Sequence, residues 1–104
     1  MGAEVPLTMS EQLTFELYAL DAEWMNGGLS QYFCNQGMEH WEALLRLASG
    51  TLPSFPPFAE SVDRVVRHAP DPYLSVLEVG PTLDALYGGS RAALISELRA
   101  RLSQ

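Results

Sequence analysis

The sequence predicts an all-α fold, a compact single-domain multi-helix bundle of about six helices. Three observations predict it. Apolar residues recur at helical spacing along most of the chain, cap and stop signals punctuate those runs, and alternating strand-like runs are nearly absent. The 104 residues are 47% hydrophobic, enough for one core and too few for a second domain. Residues 1–104 therefore read as one helical domain, with residues 1–7 as a loose N-terminal tail.

Thr8-Met9-Ser10-Glu11 has the form of a capping box, so the first helix begins there. Leu13, Leu17, Leu20 and Trp24 form one apolar stripe, and Phe15, Tyr18, Ala22 and Met25 populate the other side. A helix apolar on both sides is expected to be central and largely buried. Asn26-Gly27-Gly28 tolerates positive φ and ends it. Leu29 to Asn35 reads as a short helix of about two turns, closed by Asn35-Gln36-Gly37. Met38, Trp41, Leu44, Leu45 and Ala48 carry a third helix, which Ser49-Gly50 ends.

Pro53, Pro56 and Pro57 predict a stiff, extended connection. Phe58, Val62, Val65 and Val66 mark a fourth helix, interrupted at Ala69-Pro70-Asp71-Pro72. Asp71 caps a fifth segment, Gly80-Pro81 breaks it, and Leu83, Leu86 and Tyr87 resume the period. Gly88-Gly89-Ser90 is read as ending that helix and capping a last one, striped by Leu94, Ile95, Leu98 and Leu102.

Charge is distributed unevenly. Glu4, Glu11, Glu16, Asp21, Glu23, Glu39 and Glu42 precede Leu45 with no Lys or Arg among them, whereas the later acids are matched by arginines. The whole excess of the −7 net charge therefore lies in the first half, which predicts an electronegative surface built by Glu16, Asp21, Glu23, Glu39 and Glu42. Direct binding to nucleic acid is disfavoured, because phosphates would be repelled. No run approaches the roughly 18 to 20 apolar residues of a membrane span, and no basic, apolar leader opens the chain. With a single cysteine, Cys34, a cytoplasmic protein is expected.

Chemistry-bearing constellations are missing. His40 and His68 stand in no metal-ligand spacing, and neither glycine pair is followed by the Lys-Ser/Thr of a nucleotide loop. His40 is expected on an exposed helix face and Cys34 buried beside aromatics, which leaves little for a nucleophile and base. The predicted protein has no catalytic residue, metal or cofactor.

One stretch breaks local rules. Asp21 and Glu23 fall in the last turn of the first helix, where negative charge is unfavourable. The Glu23 carboxylate could relieve this by accepting N–H groups at the next helix start, around Gly28 to Ser30. Glu23, Asn26, Gly27 and Gly28 then form a structural device setting an interhelical angle. Gln31 and Asn35 share one helix face and either bind a partner or satisfy backbone groups beside the turns. Trp24, Tyr32, Phe33 and Trp41 are read as core.

The run from Glu23 through Asn26-Gly27-Gly28 and Gln31-Tyr32-Phe33 to Asn35 resembles the signature of a bacterial family of uncharacterised helical domains. The best-known member of that family is described as a DNA-mimic protein. The resemblance covers Phe15 to Ala48 well, and Leu83-Asp84-Ala85-Leu86-Tyr87 looks like a short motif of the family. Leu29 and Cys34 depart from it, aromatic residues being frequent there. It implies an all-helical fold, no cofactor, and an acidic surface for a DNA-binding protein.

The leading expectation is thus a non-catalytic binder of a protein with a basic surface, with DNA mimicry as its sharpest form. An immunity or antitoxin-like inhibitor of an enzyme is the alternative binder, and a small enzyme the alternative from another class. Oligomeric state is not encoded in any of these signals.

Overall fold

Thr8 and Glu11 open the first helix as their spacing predicts. The Glu11 N–H donates to Thr8 Oγ1 at 3.1 Å, and the Thr8 N–H donates to Glu11 Oε1 at 3.0 Å. The computed structural model describes residues 8–67 and 80–103, and those residues form four helices in one compact all-α domain. They are α1 (Met9–Gly27), α2 (Leu29–Ala48), α3 (Phe55–Arg67) and α4 (Gly80–Leu102). No described helix is long and apolar enough to cross a membrane.

Gly28 separates α1 from α2 alone. Its φ of 93° ends α1, and its N–H donates to the carbonyls of Glu23 and Trp24 at 3.1 and 3.0 Å. α1 packs chiefly against α2, while α4 lies across all three other helices. Leu13, Leu17 and Leu20 of α1 are fully or almost fully buried in the shared core.

A string of aromatic rings runs through that core. Trp24 meets Tyr87 edge-on at 5.1 Å, Tyr87 meets Phe58, and Phe58 meets Phe55 and Trp41. Trp41 continues to Phe33, and Phe33 to Tyr32 at 5.3 Å. Every helix contributes a ring. Offset and edge-on pairs of this kind add about 0.5–1.5 kcal/mol each beyond their buried area. Trp41, at the centre, also donates from Nε1 to Asp63 Oδ1 at 3.1 Å.

Four expectations are corrected. The count is four helices among the described residues instead of about six: the stretches on either side of Gly37 run on as one kinked element, and Gly88-Gly89-Ser90 does not break α4. At Gly37 the backbone leaves helical geometry (φ 77°, ψ 176°) where Asn35-Gln36-Gly37 predicts a stop, so α2 is two helical stretches joined across a kink and counted as one element. Gly88-Gly89-Ser90 lies inside continuous helix. Here Tyr87 and Arg91, one turn apart, both bind Asp21 of α1, and that shared partner holds the intervening glycines helical.

The proline connection is the third correction. α3 starts at Phe55, with Pro56 and Pro57 in its first turn, where a missing N–H removes no helical bond. The fourth concerns α1, which is buried on one side only: Phe15, Tyr18 and Met25 are exposed. The proposed tail at residues 1–7, the break at Ala69–Pro72 and the segment beginning at Asp71 fall outside the described residues.

The two kinds of glycine should respond oppositely to alanine. A Cβ at Gly89 meets nothing within 4 Å, so Gly89→Ala is expected to stabilise the domain by about 0.5–1 kcal/mol. At Gly28 a Cβ would stand 2.9 Å from both Asp84 carboxylate oxygens on a positive-φ backbone, so Gly28→Ala should destabilise by about 1–3 kcal/mol. Denaturant midpoints of the two variants check the pair.

Candidate binding surface

The first half's carboxylates divide into those consumed by the fold and those left facing solvent. Asp21 belongs to the first group. It is 8% exposed and accepts from Tyr87 Oη at 2.6 Å, from Arg91 Nε at 2.6 Å and from Arg91 Nη2 at 3.2 Å. The guanidinium also stands over Trp24, 5.8 Å from the ring centroid. An arginine seventy positions away in sequence thus supplies the positive charge that the end of α1 lacks.

Burial pushes the Asp21 carboxyl up, but the Arg91 and Tyr87 hydrogen bonds and the guanidinium charge outweigh it and hold the group below the usual carboxylate range. The Tyr87 phenol moves the other way, raised by burial and by the Asp21 hydrogen bond and charge. Asp21 is a structural anion and contributes little to an open acidic surface.

Glu23 does not cap α2, contrary to the sequence reading. The Leu29 N–H donates instead to Asp84 Oδ1 of α4 at 2.7 Å. Glu23 Oε2 accepts from Asn35 Nδ2 at 2.9 Å, a tie across the α1–α2 seam. Farther along that seam His40 Nδ1 lies 3.0 and 3.1 Å from the two Glu16 oxygens, which places the proton on Nδ1 because a carboxylate only accepts. His40 is therefore half-buried and engaged, not a free surface residue.

Glu39 and Glu42 are exposed on α2. Among the described residues no arginine lies within ion-pair distance of Glu16, Glu23, Glu39 or Glu42. The structure thus brings Glu16 and Glu23 to the seam and leaves Glu39 and Glu42 exposed on α2.

The remaining motif residues are structural neighbours of the elbow. The Gln31 side chain lies over Gly27, where a Cβ would clash with it, and Asn26 is exposed. Tyr32 is fully buried; burial and the Glu16 charge raise its phenol pKa. Cys34 is exposed, which corrects its expected burial: Tyr32 and Phe33 take the inward positions of the helix, and the next residue turns outward. No described group of three or more His, Cys, Asp or Glu side chains could hold a metal ion.

Sequence reasoning missed α4 as the source of ties. Asp84 and Tyr87 sit one turn apart on one face, serving α2 and α1. Glu97, farther along, accepts from the Ser54 N–H at 2.9 Å and from the Ser54 hydroxyl at the start of α3. The Leu83–Tyr87 motif was the signal, but nothing in it specified which distant groups its polar side chains reach.

A pH dependence follows from the Asp21 cluster. Its carboxyl is lowered in the folded state, so its stabilisation is complete above the ordinary carboxylate range and is lost as pH falls below about 4. Tyr87 is raised, so its contribution is complete below the ordinary phenol range and is lost above about pH 10. Asp21→Asn is expected to lower stability by about 1–3 kcal/mol near neutrality and to flatten the acid limb. Unfolding midpoints measured across the acid range check both effects.

Comparison with known proteins supplies one match. Neither a curated protein nor a solved structure matches the chain. The model of the DMP19-like protein family matches residues 6–78, which takes in α1 to α3 and stops short of α4 with its Asp84, Tyr87 and Arg91. The chain belongs to the DMP19-like protein family.

Proposed function

We propose that this protein is a non-catalytic binding module whose acidic α1–α2 side engages a basic protein surface, with mimicry of DNA toward a DNA-binding protein as the sharpest form. The observation that carries the reading is the set Glu16, Glu23, Glu39 and Glu42, which no described arginine neutralises although α4 does send Arg91 to Asp21. The family resemblance points the same way.

Physical chemistry limits the mimicry. Duplex DNA presents about one negative charge per 1.7 Å of axis, so only a few phosphates can be imitated by four carboxylates. Glu16 and Glu23, two turns apart on α1, are separated by roughly 10 Å along the axis. The Glu16–His40 and Glu23–Asn35 contacts hold their carboxylates in place, which suits recognition because less side-chain entropy is lost on docking. Glu39 and Glu42 add charge at the rim, where its main effect is on association rate and salt sensitivity.

Affinity capture at low and at high salt, with the isoelectric point of the captured protein determined, tests the reading. Binding should weaken steeply as salt shortens the Debye length to about 8 Å at physiological strength. Glu39→Gln with Glu42→Gln, which leaves the seam contacts intact, should weaken it about tenfold, mainly through the on-rate. Binding that ignores both salt and these substitutions would sink the proposal.

A further inference from the structure

α2 leaves helical geometry at one residue, and that residue lies between its two ties to α1. Gly37 has φ 77° and ψ 176°, a conformation essentially reserved to glycine. Asn35, before the break, donates to Glu23, and His40, after it, lies on Glu16. On an unbroken helix Asn35 and His40 would point about 140° apart and could not face the same neighbour. Glu16 and Glu23 sit on unbroken α1, where a seven-residue step returns to within about 20° of the same direction and rises about 10.5 Å. The extended backbone at Gly37 resets the phase of α2, so that both of its polar side chains meet that pair.

The ties orient the two carboxylates without cancelling them. Asn35 is a neutral amide, and a neutral imidazole gives a single proton, so the negative charge of each glutamate is kept. Both side chains remain partly open to solvent. Near Glu16 the Tyr32 hydroxyl is fully buried without a hydrogen-bond partner, and the charge acting on it is that of Glu16. A buried polar atom left unsatisfied among the described residues marks the Glu16 end of the seam as incomplete in the free chain. The spacing of the pair identifies what completes it. A strand repeats the direction of its side chains only at even intervals, about 6.6 or 13 Å along its length, and neither matches the glutamate pair. A helix returns to one face after seven residues, with the same rise as α1 itself. Among cationic side chains, the arginine fork is the one that fits a carboxylate with two parallel bonds.

We infer that the acidic side, on the binding role proposed above, takes a helix bearing two arginines seven residues apart, and that Gly37 is the positioning residue that sets the two carboxylates for it. Lying along α1, such a helix brings one guanidinium to Glu16 and the other to Glu23. Exposed Glu39 and Glu42 add to the field from α2.

Fluorescence anisotropy at low salt, with two labelled alanine-rich helical peptides, tests this. Each peptide carries two arginines, seven residues apart in one and five apart in the other, so that their charge is equal and only its placement differs. The wild-type chain should bind the seven-residue peptide about fivefold more tightly. Glu16→Gln with Glu23→Gln should remove that preference. So should Gly37→Ala, which changes no charge and whose added Cβ meets nothing within 4 Å, and Asn35→Ala at an exposed position. Both of these single variants should keep the helical circular dichroism and bind the five-residue peptide as the wild type does. Equal, salt-sensitive binding of the two peptides overturns this inference and leaves the proposed function standing. Absence of salt-sensitive binding to either peptide overturns both. A preference that survives Gly37→Ala or Asn35→Ala in folded protein overturns the role given to Gly37.

Discussion

The architecture depends on one unmet need at Gly28. A single glycine joins α1 to α2, and its positive φ allows the sharp turn, but a glycine has no side chain to satisfy the N–H groups at the start of the helix that follows. That acceptor must come from elsewhere. Asp84 supplies it, and by reaching the elbow it fixes the register of α4 over the α1–α2 pair. From that register Tyr87 and Arg91 meet Asp21, and Glu97 meets the start of α3. Apolar burial drives the helices together, and these polar contacts select one arrangement of them.

Elements whose signals are local were legible in the sequence. The capping box at Thr8, the elbow at Gly28, the end of α2 at Ser49 and the inward positions of Tyr32, Phe33 and Trp41 all follow from neighbours within one or two turns. What local signals could not contain is competition from distant groups. Gly88-Gly89 has the local character of a stop, yet a carboxylate on α1 binds residues on both sides of it. Pro56 and Pro57 discourage a helix when read as interior residues and favour one when read as its first turn. The motif around Glu23 was found, whereas the carboxylate that caps α2 sits more than fifty residues away.

Net charge proved a poor guide to surface charge for the same reason. Of the five acids assigned to the surface, Asp21 is neutralised inside the fold, and Glu16 and Glu23 are drawn into contacts across the helix seam. Carboxylates here do two jobs, completing helix ends or crossing between helices first and facing solvent second. The carboxylates left open are accordingly fewer than composition suggests, and Glu16 and Glu23 are each held by a side chain of the neighbouring helix.

The position of α4 in the chain orders how the protein is made. Its contacts to Leu29, Asp21 and Ser54 span 55, 66 to 70 and 43 residues, so none can form until α4 has been synthesised. As the nascent chain leaves the ribosome, the first three helices emerge with the starts of α2 and α3 unsatisfied and the Asp21 carboxylate unpaired. Emergence of α4 supplies the Asp84, Tyr87, Arg91 and Glu97 partners that these groups lack. The polar ties that select the helix arrangement are therefore all long-range, and none of them can guide the first three helices before α4 is present.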